Sequence, residues 1–226
     1  KPYVDLTIAC LRQFGAEVQE TASGYRIPGG QKLHACDQTV EGDYSQAAFF
    51  FVANVLGSTI ELTNLNPKSV QGDKKIVEIT EQMCYNLKEG LPACFSVDAS
   101  DIPDLVPILA VLATFGTAPS RITGAHRLAI KESDRLSSTA AMLNALGGDV
   151  TATEDGLEIR PVSELHGGTV DSCGDHRIAM CAAVAATRCT GAVTILHGEC
   201  VEKSYPQFYE DYRQLGGNAH VIVLES

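Results

Sequence analysis

Ile130-Lys131-Glu132-Ser133-Asp134-Arg135-Leu136 places four charged residues, two of each sign, within five positions. The run Ser137-Ser138-Thr139-Ala140-Ala141-Met142-Leu143-Asn144-Ala145-Leu146 follows at once and ends at Gly147-Gly148. Leu136, Ala140, Leu143 and Leu146 recur at helical spacing, and a glycine pair is a helix stop. Lys131, Glu132 and Ser133 are therefore expected where the chain enters a helix. Unpaired N–H groups and the positive end of the dipole make such an entrance suited to anions. Lysine and arginine beside it point to an anionic ligand, although a solvated charged helix start reads the same seven residues equally well.

Outward from this stretch, the bulk of the chain narrows the choices. Its 226 residues are 45% hydrophobic, enough for a sizeable core in one large domain or one and a half smaller ones. A net charge of −11 argues against nucleic acid as a partner, because a phosphate backbone needs a basic surface. The longest apolar runs, Leu105–Gly116 and Ile178–Thr187, are too short to cross a bilayer and read as buried helices, so no membrane association is expected. Cysteines at 10, 36, 84, 94, 173, 181, 189 and 200 form no C-x-x-C pair, which fits free thiols of a reducing cytoplasm better than disulfides or zinc. The abrupt start at Lys1-Pro2-Tyr3, without methionine, reads as a fragment or a processed product.

One pattern recurs along the chain. A helix over Val4–Phe14 stops at Gly15 and is followed by strands Glu17–Glu20 and Tyr25–Pro28 around Ser23-Gly24. A helix over Leu136–Leu146 leads to strands Val150–Thr153 and Leu157–Pro161 around Asp155-Gly156. A third, Tyr205–Leu215, stops at Gly216-Gly217 before a strand Ala219–Leu224, and Ile76–Leu87 followed by Ala93–Val97 is a looser copy. Between these units stand apolar helices headed by an aspartate: Asp43 before Ser45–Leu56, Asp104 before Leu105–Phe115, and Asp175 before Arg177–Ala186. Each of the three aspartates reads as an N-cap, without excluding a second role. Each helix leads to a β-rich stretch: Thr59–Leu65, Arg121–Ile122 and Ala192–Leu196. Helices apolar nearly all round must lie inside, and those with a polar face outside. The expectation is an α+β fold of repeated βαβαββ-like units, with buried helices covered by sheets. Gln31–Glu41, polar and without period, reads as a connector between two bodies.

Six motifs in one order carry a family resemblance: Lys1-Pro2-Tyr3-Val4-Asp5, Glu41-Gly42-Asp43, Pro103-Asp104-Leu105, Lys131-Glu132-Ser133-Asp134-Arg135, Asp175-His176-Arg177-Ile178-Ala179-Met180 and Glu202-Lys203-Ser204-Tyr205-Pro206. Together they resemble the 5-enolpyruvylshikimate-3-phosphate synthases (3-phosphoshikimate 1-carboxyvinyltransferases), over the whole of this chain but only about the second half of the family's length. The resemblance implies an enolpyruvyl transferase-like inside-out α/β barrel in two similar domains, with a cleft between them. Residues 1–38 would be the tail of the first domain with its connector, and residues 39–226 most of the second.

The implied reaction transfers the enolpyruvyl group of phosphoenolpyruvate to the 5-hydroxyl of shikimate 3-phosphate and releases phosphate, a step toward chorismate and the aromatic amino acids, with no metal and no organic cofactor. Both substrates are anions and require cationic partners to offset their desolvation. By family position Arg135, Arg177 and Lys203 would hold phosphoenolpyruvate, Lys131 would contact shikimate 3-phosphate, and Tyr3 would lie against the latter. Arg127 departs from the polar or small residue of relatives and joins the candidate substrate contacts, four residues before Lys131. Asp104, Glu132 and Lys203 are the catalytic candidates: Asp104 to take the proton of the attacking hydroxyl, Glu132 or Lys203 to protonate the methylene. The family's other half, which would complete the cleft, is the expected partner, and the chain alone is expected to be inactive. Two other readings use the same fold: a UDP-N-acetylglucosamine 1-carboxyvinyltransferase-like enzyme, and a non-catalytic anion-binding domain. Retention of Asp104, Glu132 and Lys203 weighs against the second.

Overall fold

The computed structural model describes residues 1–222. Its centre is three helices whose sequences are apolar on nearly every side. They are α2 (Tyr44–Val55), α4 (Val106–Thr114) and α6 (His176–Ala186). All nine residues of α4 and ten of the eleven in α6 are buried. The three pack on one another, with Phe49, Leu105, Leu109, Leu112, Ile178 and Met180 shut off from water. Around them lie the amphipathic helices α3 (Lys75–Glu89), which turns Ile76, Ile79, Thr80 and Met83 inward, α5 (Arg135–Ala145) and α7 (Phe208–Gln214). The first helix, α1 (Pro2–Gln13), precedes this body and buries only Ile8.

Strands cover the bundle. A four-stranded sheet has the order β3 (Ser96–Asp98), β4 (Ser120–Thr123), β6 (Gly156–Arg160), β5 (Asp149–Thr153). β3 and β4 are parallel, so the connection between them must cross over, and it does so through α4. β4 and β6 are antiparallel, as are β5 and β6, which close a hairpin. The stretch from β3 to β6 is one complete βαβαββ unit, as the repeat predicts. A second parallel pair, β7 (Gly168–Asp171) and β8 (Val193–Leu196), is joined through α6 in the same way. A short antiparallel hairpin, β1 (Gln19–Thr21) with β2 (Gly24–Arg26), follows α1.

Three expectations shift. Thr59–Leu65 forms no strand. The side chain of Asn54 pairs with both the N–H and the C=O of Ile60, and Gly42 N–H donates to Asn64 O, so these backbone groups are satisfied without a neighbouring strand. The helix read over Tyr205–Leu215 begins only at Phe208, and Pro206 biases Tyr205, the first residue of that reading, away from helical geometry. Of the strand read over Ala219–Leu224, residues 219–222 are irregular and 223–224 lie outside the described residues. No helix of the described residues is long and apolar enough to cross a membrane.

α1 meets the body at its first turn. The Lys1 amino terminus pairs with Asp101 at 3.0 Å, and Pro2 lies against Gly72. A Cβ on Gly72 would sit 2.6 Å from Asp101 O and 2.8 Å from Pro2 Cγ, so a side chain there would push the two apart. Gly72→Ala is expected to loosen α1 while leaving the bundle folded, read as faster amide exchange confined to residues 2–13. Leu109→Ala, at the centre of the bundle, is expected to cost about 2–5 kcal/mol of global stability in a denaturant titration.

Candidate functional site

Three helices begin side by side on one face of the bundle, and the charged residues of the motifs sit at those beginnings. Asp175 is the N-cap of α6: its Oδ1 accepts from Arg177 N–H at 2.9 Å. Asp134 caps α5 through Ser137, and Asp43 caps α2 through Ser45. Asp104 is not a cap, contrary to the reading of its motif. It lies inside the 3-10 turn Pro103–Leu105, and Leu105, not Asp104, precedes α4. Pro107 carries no N–H, so one of the donors that a cap at Asp104 would serve does not exist, and the Asp104 carboxylate is left for other partners.

Those partners are cations. Arg135 opens α5 with a side chain only 2% exposed, and its guanidinium meets three carboxylates. Nε donates to Asp175 Oδ2 at 2.8 Å, Nη1 to Asp104 Oδ1 at 2.8 Å, and Nη2 to Glu132 Oε2 at 2.5 Å. Ser133 Oγ also donates to Asp175, at 3.1 Å. On its other oxygen, Oδ2, Asp104 receives Arg177 Nη2 at 3.2 Å and the Tyr3 hydroxyl at 3.2 Å, and Lys131 Nζ lies 3.8 Å from Oδ1. Lys203, at the end of the 3-10 turn Gly198–Lys203, reaches Glu132 Oε1 at 3.5 Å. Tyr3, Asp104, Lys131, Glu132, Arg135, Arg177 and Lys203, spread over two hundred residues of chain, thus form one connected cluster. Arg127 stands apart: it is exposed on the 3-10 turn His126–Ile130 and has no ion pair or hydrogen bond among the described residues.

The electrostatics follow from burial working against these charges. Burial acts to raise the pKa of Asp104, and Arg177, Arg135 and Lys131 outweigh it, so the carboxyl titrates below its ordinary range. Burial also opposes ionisation of Asp175, but hydrogen bonding and charge from Arg135 win. Glu132 is likewise lowered, its burial outweighed by a backbone hydrogen bond and by Arg135 and Lys203. His176, buried beside Arg177, has its pKa lowered by burial first and is neutral at pH 7. Asp73 behaves differently. Burial pushes it up to about 6, and its Oδ1 has no hydrogen-bond partner among the described residues.

Three features of the site escape the motif reading. Arg135, expected to present its fork to a ligand, spends all three nitrogens on carboxylates. The cations that keep donor capacity are Arg177, whose buried Nε has no partner among the described residues, and the partly exposed Lys131 and Lys203. Asp175 and Ser133 belong to the cluster as anchors of Arg135; both lie inside quoted motifs, but only the fold turns them toward the arginine. Asp73, in Gln71-Gly72-Asp73, carries no sequence signal beyond standing at a helix start. No group of three or more acidic, cysteine or histidine side chains among the described residues is arranged to hold a metal ion.

A family model described as EPSP synthase (3-phosphoshikimate 1-carboxyvinyltransferase) matches residues 1–212. A 3-phosphoshikimate 1-carboxyvinyltransferase of Clostridium acetobutylicum is 46% identical over 226 residues, an alignment that takes in 96% of this chain and 53% of the relative. One from Clostridium novyi is 44% identical over 96% of this chain and 52% of the relative. The chain spans about half the length of the curated relatives it matches. Among solved structures, an EPSP synthase from Acinetobacter baumannii superposes with a TM-score of 0.79 at 28% identity, over 93% of this chain and 54% of that one. The enolpyruvyl transferase NikO from Streptomyces tendae superposes with a TM-score of 0.64 over 96% of this chain and 54% of its own; at 20% identity that likeness is one of fold alone.

The buried Asp175–Arg135 pair makes a testable stability claim. Removing one partner leaves the other charge uncompensated, so Asp175→Asn is expected to destabilise the chain by about 3–5 kcal/mol in urea unfolding at pH 7. Because the folded pKa of Asp175 is depressed, its contribution is present above the unfolded value of about 3.9 and is lost as pH falls through the folded value. The variant is therefore expected to show a shallower loss of stability below about pH 4 than the parent chain.

Proposed function

The chain belongs to the EPSP synthase (3-phosphoshikimate 1-carboxyvinyltransferase) family, and from that premise we propose that it forms the second half of an enolpyruvyl-transfer cleft. Residues 39–226 are most of the second domain in this reading, and residues 1–38 the tail of the first with its connector. The substrates are phosphoenolpyruvate and shikimate 3-phosphate, and the partner is the complementary half of the same enzyme. Eight free thiols fit a reducing compartment, the cytoplasm.

The single observation that supports this best is the convergence of four cations on two carboxylates capable of proton transfer, at three adjoining helix starts. Lys131 and Lys203 offer exposed donors to an incoming anion, Arg177 adds its positive charge beside Asp104 while its unpaired Nε is buried, and the helix dipoles add to the attraction. Arg177 and Lys203 take the phosphoenolpyruvate; Lys131 and Tyr3 take shikimate 3-phosphate. Arg135 joins by exchanging Glu132 for a ligand oxygen, a substitution of one anion for another that leaves the guanidinium paired throughout.

Asp104, ionised at neutral pH, accepts the 5-hydroxyl proton as that oxygen bonds to C2 of phosphoenolpyruvate. The methylene carbon takes a proton from Glu132 or Lys203, which gives a tetrahedral intermediate. Loss of one methyl proton to the same group then expels phosphate and restores the double bond. For Glu132 to act as the acid its pKa must rise on binding, and the negative charge of the incoming phosphate together with release from Arg135 drives it in that direction. A positioned acid or base of this kind is worth about 10²–10⁴-fold in rate.

Two experiments test this reading. Titration of phosphoenolpyruvate into the purified chain with shikimate 3-phosphate present, followed by phosphorus NMR, is expected to show binding without turnover, weakened about tenfold or more in Arg177→Ala. Turnover by the chain alone, or binding indifferent to Arg177, contradicts the proposal. In an enzyme reconstituted with the complementary half, Glu132→Gln is expected to lower kcat and to remove one limb of the pH–rate profile. Full activity with an unchanged profile would exclude Glu132 as the acid.

A further inference from the structure

β7 and β8 run parallel and end at the same level, Asp171 opposite Leu196. The chains leaving them are therefore neighbours. One, Ser172-Cys173-Gly174, leads to Asp175 and α6; the other, His197, leads to the 3-10 turn that ends at Lys203. The first delivers the carboxylate that grips Arg135, and the second delivers the ammonium that faces Glu132. Glu132 and Arg135 are themselves paired, so the geometry of the cluster depends on the spacing between these two loops.

Ser172 spans that gap. It is fully buried, and its N–H donates to Leu196 O at 3.2 Å, extending the ladder one step past the strands. Its hydroxyl donates to His197 O at 3.1 Å and accepts from Gly174 N–H at 3.2 Å and from Cys200 Sγ at 3.5 Å. One donor and two acceptor positions are all that a serine hydroxyl has, and here they reach one residue of its own loop and two of the other. Asp171 adds a second tie: its Oδ1 accepts from Cys173 N–H at 2.7 Å and is 3.0 Å from His197 Nδ1. Both turns also hold a non-glycine residue in the left-handed region, Cys173 at φ 54° and His197 at φ 56°. Such conformations persist only where surrounding contacts over-determine them.

We infer that Ser172, supported by Asp171, is a positioning residue for enolpyruvyl transfer: it holds the loop of Lys203 in register with the Asp175–Arg135 pair. Ser172 touches no candidate substrate position and acts through Lys203, whose side chain is 58% exposed and has Glu132 as its one ion-pair partner among the described residues. The inference rests on the proposed reading of Lys203 as a phosphoenolpyruvate ligand.

A double-mutant cycle on the 226-residue chain tests it, with phosphoenolpyruvate as the probe and phosphorus NMR as the readout. Ser172→Ala is expected to weaken binding about fivefold, and to have no further effect in a Lys203→Ala background. Ser172→Thr, which keeps the hydroxyl, is expected to restore the affinity. Asp171→Ala, at an exposed site, is expected to act in the same direction and to be silent in the same background. Equal losses with and without Lys203, or no loss from either variant, overturn the inference and leave the site reading intact. Binding unaffected by Lys203→Ala overturns the reading of Lys203 and the inference with it.

Discussion

A guanidinium shut away from water, held by three carboxylates from three different places in the chain, sets the geometry of this protein. Desolvating a charge is expensive, and the expense is offset only if the buried group finds acceptors of opposite charge in good geometry. Arg135 meets that condition with Asp104 from the entrance of α4, Glu132 from just before its own helix, and Asp175 from the cap of α6. The three helix entrances are thereby pinned to one point. A shift of any of them by a hydrogen bond's length would leave a buried charge short of a partner.

From that pinned point the site grades outward. At the centre Arg135 is paired with Asp104, Glu132 and Asp175. At the rim are Lys131 and Lys203, with side chains 37% and 58% exposed, while Arg177 stays buried with its Nε unspent. A charged cluster that was saturated throughout would have nothing to offer an anion, and one that was open throughout would not hold its shape. Tyr3 enters this rim from α1, which makes few buried contacts of its own, so a residue outside the main bundle reaches Asp104 only because Gly72 lets the chain approach. Asp73, buried with one oxygen unpartnered and a pKa pushed up to about 6, lies near the same rim, where Asp104 and Arg177 both act on its charge.

Periodicity located the elements well where burial was strong on one side or on all sides. α3, α4, α5 and α6 and the hairpin of β5 and β6 lie within a few residues of their readings. Periodicity failed where backbone groups were satisfied by something other than secondary structure. Asn54 holds Ile60 with both ends of its amide, and Asn144 holds Val150 in the same way six residues on. In the second case a strand follows and in the first none does, so the local pattern does not discriminate between them.

The amino-acid order by itself determined which helices are buried, that the units repeat, and which motifs carry charge, because these follow from side-chain chemistry at fixed spacing along one element. It also placed six family motifs in register. Only the tertiary structure decided what each charged group does there. Asp104 and Asp175 stand alike before apolar helices, yet one is a cap that also anchors Arg135 and the other is a free acceptor for two arginines. Arg135 and Arg177 look interchangeable in sequence, yet one is saturated and the other keeps a donor. Pairing among groups 31 to 73 residues apart depends on distances across the fold, and no local pattern encodes those.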